Sequence, residues 1–126
     1  MRQTFTIPGR LAGLNDYIRA AHSPWQRSRL KEAEEAKVAA AAAGLAPMQP
    51  PVEVRVTYYE GRTRPRERVR DLDNVAGGGN KFILDALVSM GVIPDDGPDT
   101  VPYLSVRGYR ATGAPRIEVE LRDKEG

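Results

Sequence analysis

The chain of 126 residues has no cysteine and a single histidine, His22. Thiol nucleophiles, zinc-finger ligand sets and His-rich metal sites are therefore excluded or left without ligands. The missing cysteine also fits a reducing cytosol. No apolar run comes near the ~20 residues a membrane helix needs, and no signal-peptide pattern is present. The expectation is a cytoplasmic protein without a membrane partner. What remains for chemistry is the oxygen of carboxylates. With 40% hydrophobic and 29% charged residues, the whole of 1–126 reads as one domain with a core of its own.

The formal net charge is only +2, but it is unevenly distributed. Between Asp71 and Asp99 stand six acids (Asp71, Asp73, Asp85, Asp95, Asp96 and Asp99) and one base, Lys81, so the rest of the chain holds 18 bases against 11 acids. A local acidic segment within a basic protein suits a polyanionic substrate gripped around a metal. An ordinary solvated surface with uneven charge has the same composition.

Hydrophobic patterning predicts an α+β domain with a mixed sheet of about four strands and two helices, in the order β-α-β-α-β-β. Thr4 to Ile7 alternate as a first strand that stops at Pro8-Gly9. Pro24 to Ala43 favours helix, with Gly44 as a stop, though Leu30, Ala33, Val38 and Ala41 give it only a thin apolar face. After a linker at Pro47–Pro51, Val52, Val54, Val56 and Tyr58 declare the buried face of a second strand. Asn80 or a residue just before it is expected to cap a second helix whose Ile83, Ala86, Leu87 and Met90 form a core stripe, ended by Gly91. Leu104 and Val106, then Ile117, Val119 and Leu121, mark two closing strands, read as a hairpin through Ala111–Pro115 and followed by a polar tail from Asp123 to Gly126.

Arg62, Arg64, Arg66, Arg68 and Arg70 recur at every second residue, interrupted by Pro65. They are candidate DNA-phosphate contacts, or else a solvated, aggregation-resistant edge. Asp71 and Asp73 would share one face if the strand reached that far. A helix from Lys81 to Met90 carries the chain roughly 15 Å away at ~1.5 Å per residue. The extended steps from Gly91 to Asp96 return about 17 Å. On those lengths Asp96 can come back beside Asp71 and Asp73, and three converging carboxylates would make a site for a hard divalent cation.

The string Arg70-Asp71-Leu72-Asp73-Asn74, then Lys81-Phe82-Ile83-Leu84-Asp85-Ala86-Leu87, Gly91 and Asp95-Asp96, resembles the RusA family of Holliday-junction resolvases of phages and prophages. The resemblance is tight from Arg70 to Asp96 and loose from Thr4 to Leu121. It implies a metal-dependent endonuclease that acts as a homodimer on four-way DNA junctions in recombination and repair. Asp71, Asp73 and Asp96 match the family's metal-binding acids, and Lys81 matches its essential lysine. Mg²⁺, with Mn²⁺ as an alternative, would activate water and stabilise charge developing on the phosphate. One departure stands out: Val75 to Asn80, with Gly77-Gly78-Gly79, lengthens the gap between the second acid and the lysine by four residues relative to the better-known form. A loop before the helix is the preferred reading of that insertion, and a glycine cradle for phosphate the other.

Ordinary readings stand beside these. Lys81 and Asp85 are i and i+4 and can form a surface pair worth ~0.3 kcal/mol. Asn74 can be a helix cap or a partner of the acids, Asp95 competes with Asp96, His22 reads as a surface residue and Trp25 as a packing residue. Two other functional classes share the same residues: a DNA-binding phage protein of the same fold without turnover, and a metal-dependent nucleotide phosphohydrolase.

Overall fold

The computed structural model describes residues 1–62 and 64–124. The order is β1 (Arg2–Pro8), α1 (Leu14–Ala20), α2 (Pro24–Ala41), β2 (Val52–Glu60), α3 (Leu72–Ser89), β3 (Tyr103–Arg110) and β4 (Arg116–Asp123). The strands make one mixed sheet in the order β1-β4-β2-β3, with β4 antiparallel to both neighbours and β3 parallel to β2.

Alternation in the strands sets which face is covered. Phe5 and Ile7 of β1, Val52, Val54, Val56 and Tyr58 of β2, and Ile117, Val119 and Leu121 of β4 are all buried. They meet Val75, Phe82, Ile83, Ala86 and Leu87 of α3 and Val38 of α2 in one core. Full burial of a side chain of this size contributes roughly 1.5–3 kcal/mol. The opposite face carries Thr4, Thr6, Arg55, Thr57, Arg107, Tyr109, Glu118 and Glu120, each at least partly open to solvent. It lacks a covering layer among the described residues.

Several expectations are corrected here. Among the described residues the helices number three, not two, because the sequence pattern does not show α1: it has seven residues, none of them buried, so it leaves no apolar stripe to read. The closing strands are not a hairpin, since β4 lies between β1 and β2 while β3 takes the sheet edge. Burial explains the choice. Ile117, Val119 and Leu121 are 2% exposed or less, whereas Leu104 is 41% exposed and Gly108 has no side chain to bury, so β4 belongs in the centre and β3 at the rim. β4 also continues through Asp123, which is buried, so the expected tail begins later; Glu125 and Gly126 lie outside the described residues.

A further correction concerns the glycines. Gly77, Gly78 and Gly79 lie inside α3, which starts at Leu72 and not near Lys81. A Cβ on Gly78 would sit 2.5 Å from the carbonyl oxygen of Ala12 and from the carbonyl carbon of Gly13, and one on Gly79 would collide with the Tyr58 hydroxyl. The triplet is a notch in the helix surface where the start of α1 and the ring of Tyr58 seat, which repays the ~1 kcal/mol helix cost of each glycine. Tyr58, 1% exposed, donates its hydroxyl proton to Asn80 Oδ1 at 2.6 Å across that notch. Asn80 is therefore a mid-helix partner of the sheet and not a cap. Met90, expected in the core, is 36% exposed at the C-cap of α3, and Gly91 follows at φ +76°.

Candidate functional site

α3 begins where β2 ends, because β2, α3 and β3 form a parallel crossover. That geometry runs α3 antiparallel to its strands, so Asp71 and Asp73 stand at the carboxyl ends of β2 and β3. Asp71 is the N-cap residue of α3 and Asp73 lies in its first turn, both exposed. They share an open cleft of about 540 Å³ with Asp16, Arg19, Arg68 and Arg70. The strand expected to carry both acids ends at Glu60, and their common outlook comes from the helix start instead. Asp73 Oδ1 also accepts the backbone N–H of Asn74 at 2.9 Å, and acids in the first turn favour the helix dipole.

Asp96 does not join them within one chain. Because the glycine segment is helical, α3 has 18 residues and spans ~27 Å, well beyond the return that Gly91–Asp96 can make. The chain past α3 is also held at its far end: Val92 accepts a hydrogen bond from Met48 N–H, and Thr100 accepts one from Val52 N–H at the start of β2. Asp96 is exposed in that far turn, where Asp95 Oδ1 accepts the N–H of Gly97 at 2.8 Å. Among the described residues no group of three or more His, Cys, Asp or Glu is arranged to hold a metal ion. The expected convergence of Asp71, Asp73 and Asp96 is thus corrected: two acids lie at one end of α3 and one at the other.

Lys81 lies about two turns into α3, beside the Tyr17 ring (5.8 Å to the centroid) and 3.5 Å from Asp85. Asp85 also pairs with Lys31 of α2 at 3.6 Å. The i, i+4 pairing is therefore present, and roughly 12 Å of helix rise separates Lys81 from Asp73.

The arginine run divides in two. Arg62, Arg64, Arg66 and Arg68 are exposed on the connection between β2 and α3, which is not a strand, and their side chains form no ion pair among the described residues. Arg70 differs from the expected phosphate contact. Its Nε and Nη2 donate to Glu60 Oε2 (2.8 Å) and Oε1 (3.1 Å), and its Nη1 donates to the Leu11 carbonyl at 2.9 Å. Only 14% of its side chain is exposed. A guanidinium with its fork filled by a buried carboxylate has little left for phosphate.

Glu60 is the residue that sequence reasoning missed. It ends a strand of alternating burial, VEVRVTYYE, where the pattern called for an inward apolar residue; an acid at such a position next to an arginine run is the signal that was available. Burial pushes its carboxyl up, but the hydrogen bonds and charge of Arg70, aided by Arg10, hold it below the ordinary carboxylate range. Arg10 donates to Glu60 Oε2 at 2.9 Å and pairs with Glu67 on the arginine-rich connection. Glu60, Arg70 and Arg10 thus tie the segment between β1 and α1 to the end of β2 and to the residues just before α3.

Asn74 also has an assigned task. Its Oδ1 accepts the N–H of Asn15 at 2.9 Å, while Asp16 Oδ2 accepts the N–H of Gly13 at 2.9 Å. Because Gly13, the N-cap of α1, has no side chain, α3 supplies the acceptor that a serine or aspartate would have given. His22 and Trp25 are both exposed, Trp25 by 65% with Arg29 over its ring, so the expected packing role of Trp25 is not seen in the described residues.

No helix among the described residues is long and apolar enough to cross a membrane. No protein-family model matches the chain, and no curated protein matches it at a significant level.

Proposed function

We propose that the protein is a divalent-metal-dependent, structure-selective endonuclease acting on branched DNA, with four-way junctions as the leading substrate. The observation that carries this reading is the shared cleft of Asp71 and Asp73, lined also by Arg68, which is exposed and makes no ion pair among the described residues. Two exposed carboxylates are a donor set Mg²⁺ accepts, since it commonly takes one or two carboxylates and fills its other positions with water and substrate phosphate. Asp71 and Asp73 would hold the ion, and a bound Mg²⁺ or Mn²⁺ supplies an activated water and charge neutralisation at phosphate.

The chain's own contribution is placement. Arg62, Arg64, Arg66 and Arg68 offer guanidinium groups to the DNA backbone along one connection. The Glu60–Arg70 clamp fixes the point where that connection enters α3. Asp96 would act only from a second copy, and opposed nicks in two strands of a junction require two sites, so the reading includes a two-fold homodimer.

The test is cleavage of a four-way junction, a linear duplex and free nucleotides with Mg²⁺, by the unaltered protein and by Asp73→Asn. Junction cutting that Asp73→Asn abolishes while binding persists is the expected result. Hydrolysis of nucleotides alone would move the protein to the phosphohydrolases. Junction binding without cutting would favour a DNA-binding protein without turnover, a second reading that the separation of Asp96 from the other acids supports.

A further inference from the structure

Across the open face of the sheet, strand register aligns Arg116 of β4, Tyr59 of β2 and Tyr109 of β3 in one row. The guanidinium of Arg116 lies 3.7 Å from the Tyr59 ring centroid, and the Tyr59 and Tyr109 rings stack at 5.6 Å with 24° between their planes. β4 and β3 flank β2 on opposite sides, so the three groups form a stack with Tyr59 in the middle. Its last member, Tyr109, stands on the edge strand, is 51% exposed, and has no further ring or cation against it among the described residues.

We propose that this stack is a platform for an unpaired base, and that the edge of the sheet binds single-stranded nucleic acid. A planar base placed on the open side of Tyr109 would continue the series begun by Arg116 and Tyr59. Such contacts tolerate any base, because every base has a π face. Charge supports the same occupant. Arg107, on the same face and two residues away, is exposed and makes no ion pair among the described residues. A purely hydrophobic partner would leave its guanidinium uncompensated, whereas a phosphate chain running past Tyr109 satisfies it. The row lies at the carboxyl end of β2, with only Glu60 between Tyr59 and the arginine-rich connection.

This inference does not depend on metal or on cleavage, so it is tested in EDTA. Fluorescence anisotropy of labelled dT15, rU15 and a 15-base-pair duplex is measured with the unaltered protein, Tyr109→Ala and Tyr109→Phe at one salt concentration, alongside light scattering. Expected is binding of dT15 or rU15 that Tyr109→Ala weakens about tenfold, equivalent to ~1.4 kcal/mol, with Tyr109→Phe retained and the duplex unaffected. Loss of one oligomer only assigns DNA or RNA. Absence of oligomer binding, equal weakening of single strand and duplex, or no effect of Tyr109→Ala overturns the proposal. So does a change in oligomeric state caused by Tyr109→Ala, which would make the edge a contact between copies of the chain.

Discussion

Arg70 holds Glu60 three ways: its backbone N–H and its Nε both donate to Oε2, at 3.2 and 2.8 Å, and its Nη2 donates to Oε1 at 3.1 Å. A residue ten positions away is thereby tied to the end of β2, and the chain between them is folded back into a closed loop. The side chains are only 10% and 14% exposed. Most of the strength of such a pair comes from what would be left if one partner went, namely a buried charge without compensation.

Arg70→Ala is therefore expected to cost about 2–4 kcal/mol of folding stability, measured by urea denaturation. Arg68→Ala, on an exposed neighbour, should stay within roughly 0.5 kcal/mol. Equal effects of the two would mean that the clamp contributes nothing beyond the surface charge.

The same pair gives a pH signature. The Glu60 carboxyl is held below its ordinary value of 4.5, so the folded state binds its proton less readily than the unfolded chain does. Its contribution is complete above the unfolded value and is lost as pH falls through the lower folded one. Acid titration of stability should thus fall more steeply below about pH 4.5 for the unaltered protein than for Glu60→Gln. Parallel curves would show that Glu60 is not the group responsible.

Gly78→Ala reverses the usual expectation for a helix interior. Propensity alone would stabilise by ~1 kcal/mol, yet the new Cβ meets backbone of Ala12 and Gly13 at 2.5 Å, and backbone cannot rotate away. A net loss of roughly 1–3 kcal/mol is expected, with Ser89→Ala at the exposed end of α3 as the contrasting gain. Thermal denaturation of both decides it.

For the arginine-rich connection, replacing Arg64, Arg66 and Arg68 together by Ala should flatten the salt dependence of junction binding. Each lost phosphate contact removes about 0.9 from the slope of log K against log salt. A slope that stays the same would return these residues to a solvated surface.

What could be read in advance follows from how each signal arises. Val52, Val54, Val56 and Tyr58 declared a buried face because a strand has period two, and all four are buried. The partner of that strand was not legible. Ile117 and Leu104 look equally strand-like in sequence; both of their strands pair with β2, and only tertiary packing decides that β4 also takes β1 on its other side while β3 stays at the edge. The glycine triplet read as a break because glycine is a poor helix former. Its use as a seat for Gly13 and Tyr58 depends on residues distant in sequence. Taken as a break, the triplet shortens α3, and only with so short a helix does Asp96 come back to Asp71. Asp71 and Asp73 open on one cleft, but through the start of α3 and not through the shared strand face that their spacing predicts.

α1 borrows from α3 both its missing cap acceptor, Asn74 Oδ1, and the notch at Gly78 that its first residues fill. It has no buried side chain of its own and, at seven residues, cannot persist alone. Its order is tied to α3, against which Tyr17 also packs edge-on, 6.2 Å from the Phe82 ring. Asp16 and Arg19, which line the cleft with Asp71 and Asp73, are carried on α1. One wall of that cleft thus stands on a helix whose cap and seat are both supplied by α3, so a change at Asn74 or Gly78 reaches the cleft through α1.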